Sequence, residues 1–164
     1  MIRLVTLTIF MASFALSASA QPIADVAAPN DRLRVSVFLD DRGVPAYQVT
    51  YDDQTLVEPS RLGVVLSGGD TLGVGMEALG TETTSHDTTW TQPWGEVETI
   101  RNRYRELRLP LQETGGAERR MTLVFRVFND GVGFRYEWPE QPRLGAFQIM
   151  DELTSMHFAA DPTT

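Results

Sequence analysis

The chain has 164 residues, with 22 acids against 14 basic side chains and no cysteine, and a formal net charge of −8. Every basic residue apart from two histidines is arginine, which excludes a Schiff-base or P-loop lysine, and the missing thiols exclude disulfides, Cys-based metal sites and lipidation at cysteine. A chain this acidic, without a basic patch, repels nucleic acid and anionic membrane surfaces.

Residues 1–20 open with Arg3, run apolar from Leu4 to Leu16 and end on Ala18-Ser19-Ala20. This is the form of a secretory signal peptide cut after Ala20, and its apolar run falls short of the ~20 residues that span a bilayer. The expectation is an exported product of 144 of the 164 residues, soluble in the periplasm or outside the cell and free of the membrane after cleavage. Residues 21–30 read as a flexible lead-in and 31–164 as one domain.

Within that domain "RLRVSVFLD", from Arg32 to Asp40, alternates Leu33, Val35, Val37 and Leu39 on one face, the pattern of a half-buried strand. "DDRG" turns the chain, and "PAYQVTYD" returns as a second strand. "QTLVEPS" is a short extended piece ended by Pro59, and "RLGVVLSGGD" is a strand closed by a Gly-Gly-Asp turn. The Thr-rich "TETTSHDTT" is too β-branched for a helix and reads as an edge strand or a long loop. Next, "RYRELRLPLQ" and "ERRMTLVFRVF" form a hairpin, and Asn129-Asp130-Gly131 turns the second of these into "VGFRYEW". "AFQIMDELTSMHF" supplies one or two last strands. About eight short strands and no amphipathic helix predict an all-β antiparallel sandwich, with a closed barrel as the alternative.

Candidate chemistry is sparse. His86 sits between Ser85 and Asp87, but successive residues of an extended strand point to opposite faces, so this is no triad, and a solvated loop histidine is expected. His157, between Met156 and Phe158, reads as a packed residue. Two distant histidines without cysteine give no ligand spacing, and Asp130 fits turn chemistry better than calcium binding. Glu96 and Glu98, two apart, would share a strand face at ~7 Å, a separation open to glycoside hydrolysis but common to any solvated strand. Trp90 and Trp94 flank Pro93 in "TTWTQPWGEVETI". Tryptophan fills cores and also stacks on sugars or partner surfaces, and both readings stay open.

The run that starts at Ser85, "SHDTTWTQPWGEVETIRNRYRELRLPLQE", followed by "RRMTLVFRVFNDGVGFRYEWPEQP", resembles the N-terminal domain of glycoside hydrolase family 97. The matching motifs are Trp90, Trp94-Gly95-Glu96, Tyr104-Arg105-Glu106-Leu107 and Phe125 to Glu137. The resemblance implies a β-super-sandwich, similar to galactose mutarotase-like domains and incomplete here, that precedes a catalytic (β/α)8 barrel in an α-glucosidase or α-galactosidase. It also implies calcium held by residues outside this chain, no cofactor within it, and catalytic carboxylates on the barrel. The expected partners are therefore that barrel and carbohydrate. No catalytic or metal-binding residue is assigned here, and Trp90, Trp94 and Glu96 are the candidates for a carbohydrate or domain interface. The alternative is a stand-alone exported carbohydrate-binding sandwich.

Overall fold

A computed structural model describes residues 21–96 and 98–160, so the signal-peptide reading of residues 1–20 lies outside the described residues. The described chain holds thirteen strands and no helix. They are β1 (Ala24–Ala27), β2 (Leu33–Leu39), β3 (Pro45–Tyr51), β4 (Gln54–Arg61), β5 (Val64–Leu66), β6 (Thr71–Leu72), β7 (Met76–Ala78), β8 (Glu82–Thr91), β9 (Thr99–Glu113), β10 (Arg120–Val127), β11 (Val132–Glu137), β12 (Ile149–Glu152) and β13 (His157–Phe158). One sheet has the order β1-β2-β3-β4-β13; a second has β11-β10-β9-β7, with β8 also paired to β9; a small third sheet is β12-β5-β6. All pairings are antiparallel. None of the sheets closes on itself, so the architecture is a sandwich and the closed-barrel alternative falls.

The period-two alternation decides which faces meet. Val35 and Val37 of β2 and Tyr47 and Val49 of β3 face Leu107, Leu109 and Leu111 of β9 and Met121, Leu123 and Phe125 of β10, all buried in one core. Val64, Leu66 and Leu72 of the third sheet join that core from one end. Across the gap, Tyr47, Phe125 and Phe134 form a triangle of rings with centroids 5.9 to 6.0 Å apart. At this spacing tilted rings add to the burial of their area.

The turns follow their sequence signals. Asp40 Oδ1 accepts from the amides of Arg42 and Val44 at 2.9 and 2.8 Å, and Gly43 takes φ +67°. A Cβ on Gly43 would lie 2.5 Å from the Met76 amide nitrogen, so only glycine fits against the segment entering β7. Asn129-Asp130-Gly131 joins β10 to β11, with the Phe128 amide donating to the Gly131 carbonyl at 2.8 Å.

Two segments differ from expectation. The stretch read as a flexible lead-in holds β1, whose Val26 is buried and which pairs along β2 in register Ala24 to Val37; burial of a short Ala/Val strand against β2 outweighs its weak propensity. Pro59 does not end β4. The ladder to β3 shifts between Tyr47–Ser60 and Val49–Val57, so a bulge at Glu58-Pro59 absorbs the residue that lacks an amide donor.

Phe125→Ala, which empties the centre of the ring triangle, is expected to cost about 3 to 5 kcal/mol of stability, measured as a lower urea midpoint at unchanged slope.

Candidate functional site: the tryptophan arm and the outer face of the second sheet

β9 is far longer than its neighbours. Arg105 to Gln112 pair with β10, whereas Thr99 to Tyr104 pair only with β8 among the described residues. The six pairs from Thr91–Thr99 to His86–Tyr104 therefore project past the sheet as a two-stranded arm, ~20 Å long at the usual rise per residue. The Thr-rich segment is an edge strand, as one of its two expected readings had it. Almost all of β8 is exposed.

At the far end of the arm stand the tryptophans. Trp90 lies opposite Ile100 in the register and is 52% exposed, and Trp94, in the connection between β8 and β9, is 83% exposed. Among the described residues neither ring enters the core. Gly95 at φ +124° bends the connection, and a Cβ there would come 2.6 Å from Gln92 Nε2. Glu96 and Glu98 both lie in the connection and are exposed. Neither belongs to a strand, so the shared strand face expected for them does not exist and no paired-carboxylate geometry follows.

The base of the arm is tied to the first sheet. Arg105 Nη1 donates to Asp31 Oδ1 at 2.5 Å and to the Ala27 carbonyl at 3.5 Å. On the outer face His86 stacks on Tyr104 at 4.6 Å, and the Arg126 guanidinium sits over the same ring, 4.8 Å from its centroid. His86 is thus on a strand rather than in a loop; besides its stacking on Tyr104, its Nε2 lies 3.2 Å from the Thr84 hydroxyl on the same exposed strand. His157, expected to be packed, is exposed, with Nδ1 3.4 Å from Ser60 Oγ; β13 is an edge strand, which leaves that side chain at the surface.

Farther along the outer face lies a charge network that sequence reasoning did not single out. Arg126 Nε donates to Glu106 Oε2 at 2.7 Å, Arg108 Nη1 lies 3.4 Å from Glu106 Oε1, and Arg135 Nη1 is 3.9 Å from Glu106 Oε2. Arg108 also pairs with Glu137, which accepts from Arg135 Nη2 at 2.6 Å. The Glu106 side chain is only 8% exposed. Burial raises its proton affinity, but the hydrogen bonds from Arg126 and Arg108 and the charges of Arg126 and Arg135 outweigh burial, and its pKa is lowered. The Glu137 carboxyl is also held low, chiefly by its hydrogen bond from Arg108. Both acids are committed to arginines, which fits neither calcium ligation nor a proton-transfer role. Among the described residues no group of three or more His, Cys, Asp or Glu is arranged to hold a metal ion.

Residues 26–164 match the family described as glycosyl-hydrolase 97 N-terminal. The chain belongs to that family. It is 31% identical over 121 residues to a "Probable retaining alpha-galactosidase" of Streptomyces bingchenggensis (strain BCW-1), a stretch covering 74% of this chain and 18% of that protein. Among solved structures it superposes with TM-score 0.75 and 27% identity on a glycoside hydrolase family 97 enzyme from Pseudoalteromonas sp. strain K8 in complex with acarbose, covering 80% of this chain and 20% of that one. A structure of a beta-arabinopyranosidase gives TM-score 0.74 at 27% identity, covering 83% and 21%. The chain thus spans about a fifth of the length of each of these relatives.

The charge network of this family 97 domain gives a pH dependence of defined sign. Both glutamates titrate below their ordinary value of 4.5, so their stabilisation is present above that value and is lost as pH falls through the folded-state pKa. Glu106→Gln is expected to cost about 1 to 3 kcal/mol at pH 7 and to flatten the fall in thermal midpoint between about pH 5 and pH 3; an unchanged pH profile in the variant would refute the assignment.

Proposed function

We propose that this chain is the non-catalytic first part of an exported family 97 glycoside hydrolase acting on α-linked glucosides or galactosides. In this reading the sandwich packs on a (β/α)8 catalytic barrel and the arm helps to shape the carbohydrate site. The single observation behind it is that a domain of this family, spanning about a fifth of its relatives, presents two exposed tryptophans at the far end of a two-stranded arm. A two-stranded ribbon is marginal in water on its own, and exposed Trp at its end gains most from a partner surface or a sugar ring.

The chemistry then resides elsewhere in the enzyme. The acids of the outer face are engaged by arginine, and Glu96 has no facing carboxylate on a common strand, so the pair of carboxylates that glycoside hydrolysis requires is not assembled from the candidate residues. The same donor set does not fit calcium, and the calcium implied by the family resemblance is assigned to residues outside this chain. The relatives' names span an alpha-galactosidase and a beta-arabinopyranosidase, which agrees with the choice of sugar being made by the other parts of the enzyme. The segment ahead of Gln21 is proposed to direct export to the periplasm or medium.

The exposure of Trp90 and Trp94 also favours a second reading, a stand-alone carbohydrate-binding sandwich that stacks sugars on those rings. Two measurements on the product from Gln21 to Thr164 separate these. With aryl α-glucoside and α-galactoside plus calcium, the leading reading expects no turnover above a buffer blank, and turnover overturns it. In calorimetry with maltooligosaccharides it expects no heat at millimolar sugar, whereas binding lost in the Trp90→Ala, Trp94→Ala double variant establishes the second reading.

A further inference from the structure

The core row of β9 changes character where the arm begins. Leu111, Leu109 and Leu107 face the first sheet, and the same parity continues through Arg105, Arg103 and Arg101. Ser85, Asp87 and Thr89 of β8 stand opposite these three and share their face. By the same register the rings of Trp90, His86 and Tyr104 all belong to the other face. One side of the arm is therefore aromatic, and the other is a row of guanidinium groups ~13 Å long.

The acids do not match that row. Asp31 holds Arg105, and Asp87 accepts from Nε and Nη2 of Arg101 at 2.8 and 2.6 Å. Arg103 lies between them. The only acid it reaches among the described residues is the same Asp87, 3.6 Å from its Nε, and its side chain is 45% exposed. Three guanidinium groups thus share two carboxylates, in a chain whose formal net charge is −8. Here the arm overhangs the turn between β1 and β2, and Pro29, Ser85, Asp87 and Arg105 complete a pocket of about 210 Å³ around Arg103.

A planar guanidinium meets a carboxylate through two parallel hydrogen bonds, which selects an acidic occupant. Nucleic acid and anionic lipid would have to approach the chain's 22 acids as well. An acidic sugar gains from a ring to stack on, and the rings of the arm lie on its other face. A carboxylate carried on a protein surface needs no ring. The relatives hold about four-fifths of their length outside the matched part, which supplies such a surface. We propose that the arginine face of the arm docks on an acidic surface of a further part of the same polypeptide, where Arg103 receives an Asp or Glu carboxylate. This rests on the reading of the chain as one part of a longer family 97 enzyme, and it names the face and the chemistry by which the arm is held.

The test is arginine-specific labelling with p-hydroxyphenylglyoxal, read by mass spectrometry, in the chain ending at Thr164 and in the polypeptide expressed from its complete reading frame. Arg103 is expected to react at least about 10-fold more slowly in the complete polypeptide. Arg103→Glu should speed amide exchange of Thr99 to Tyr104 there by about 10-fold. The same change should leave the short chain's thermal midpoint unchanged, because an exposed contact with Asp87 contributes little. Equal labelling of Arg103 in the two proteins, with Trp90 and Trp94 shielded in the complete one, would overturn the arginine face and leave the proposed function intact. Protection of Arg103 in the short chain by millimolar glucuronate, with none gained in the complete polypeptide, would overturn it in favour of an acidic sugar. Shielding of neither Arg103 nor the tryptophans, or a frame that ends at Thr164, would overturn both the docking and the proposed function. Should Arg103→Glu fail to fold in the complete polypeptide, the labelling of the two unaltered proteins decides alone.

Discussion

β9 must turn Leu107, Leu109 and Leu111 toward the opposite sheet, and this one parity places nearly every other feature of the molecule. With successive side chains on opposite faces, Tyr104, Glu106 and Arg108 have no choice but the outer surface. The register with β10 and β11 then brings Arg126 and Arg135 beside Glu106 and Glu137, and the register with β8 sets His86 on Tyr104 and Trp90 beside Ile100. A slip of one residue would turn Glu106 and Arg108 into the core and expose the leucines. The apolar core thus positions an outer face on which it has no direct chemical claim.

The consequence is a domain with an apolar interior and, among the described residues, two exposed apolar regions. One is the two-stranded arm, and the other is the cleft between β11 and β13. Both expose large apolar side chains, Trp90 and Trp94 in one place and Leu56, Met156 and Phe158 in the other. The charged network between the two regions is internally satisfied, so it stiffens the sheet without offering a free acid. The outer-face acids Glu106 and Glu137 of this family 97 N-terminal domain are thus held by arginines.

Much of this is legible in the sequence because it is local. Alternation marks β2, β3, β10 and β11, and Asn129-Asp130-Gly131 marks its hairpin, since turn chemistry needs only neighbouring residues. What is not legible depends on long-range register. β1 is a short strand of Ala, Asp and Val with little intrinsic preference, and only the β2 edge makes it a strand. Pro59 reads as a terminator unless the bulge opposite Gln48 is known. Glu106 reads as one more strand acid until three strands are aligned and its arginines come beside it. Trp90 and Trp94 are visible as a motif, but their exposure is undetermined, because burial of a Trp at the end of a strand or in the connection after it depends on what lies across from it.

The central claim is that the tryptophan arm is a contact surface within a longer enzyme. Hydroxyl-radical footprinting, read by mass spectrometry at Trp90 and Trp94, tests it most directly. The account predicts that both rings are oxidised rapidly in the chain ending at Thr164 and are shielded in the polypeptide expressed from the complete reading frame, without added sugar. Equal oxidation of both rings in the two proteins would contradict it.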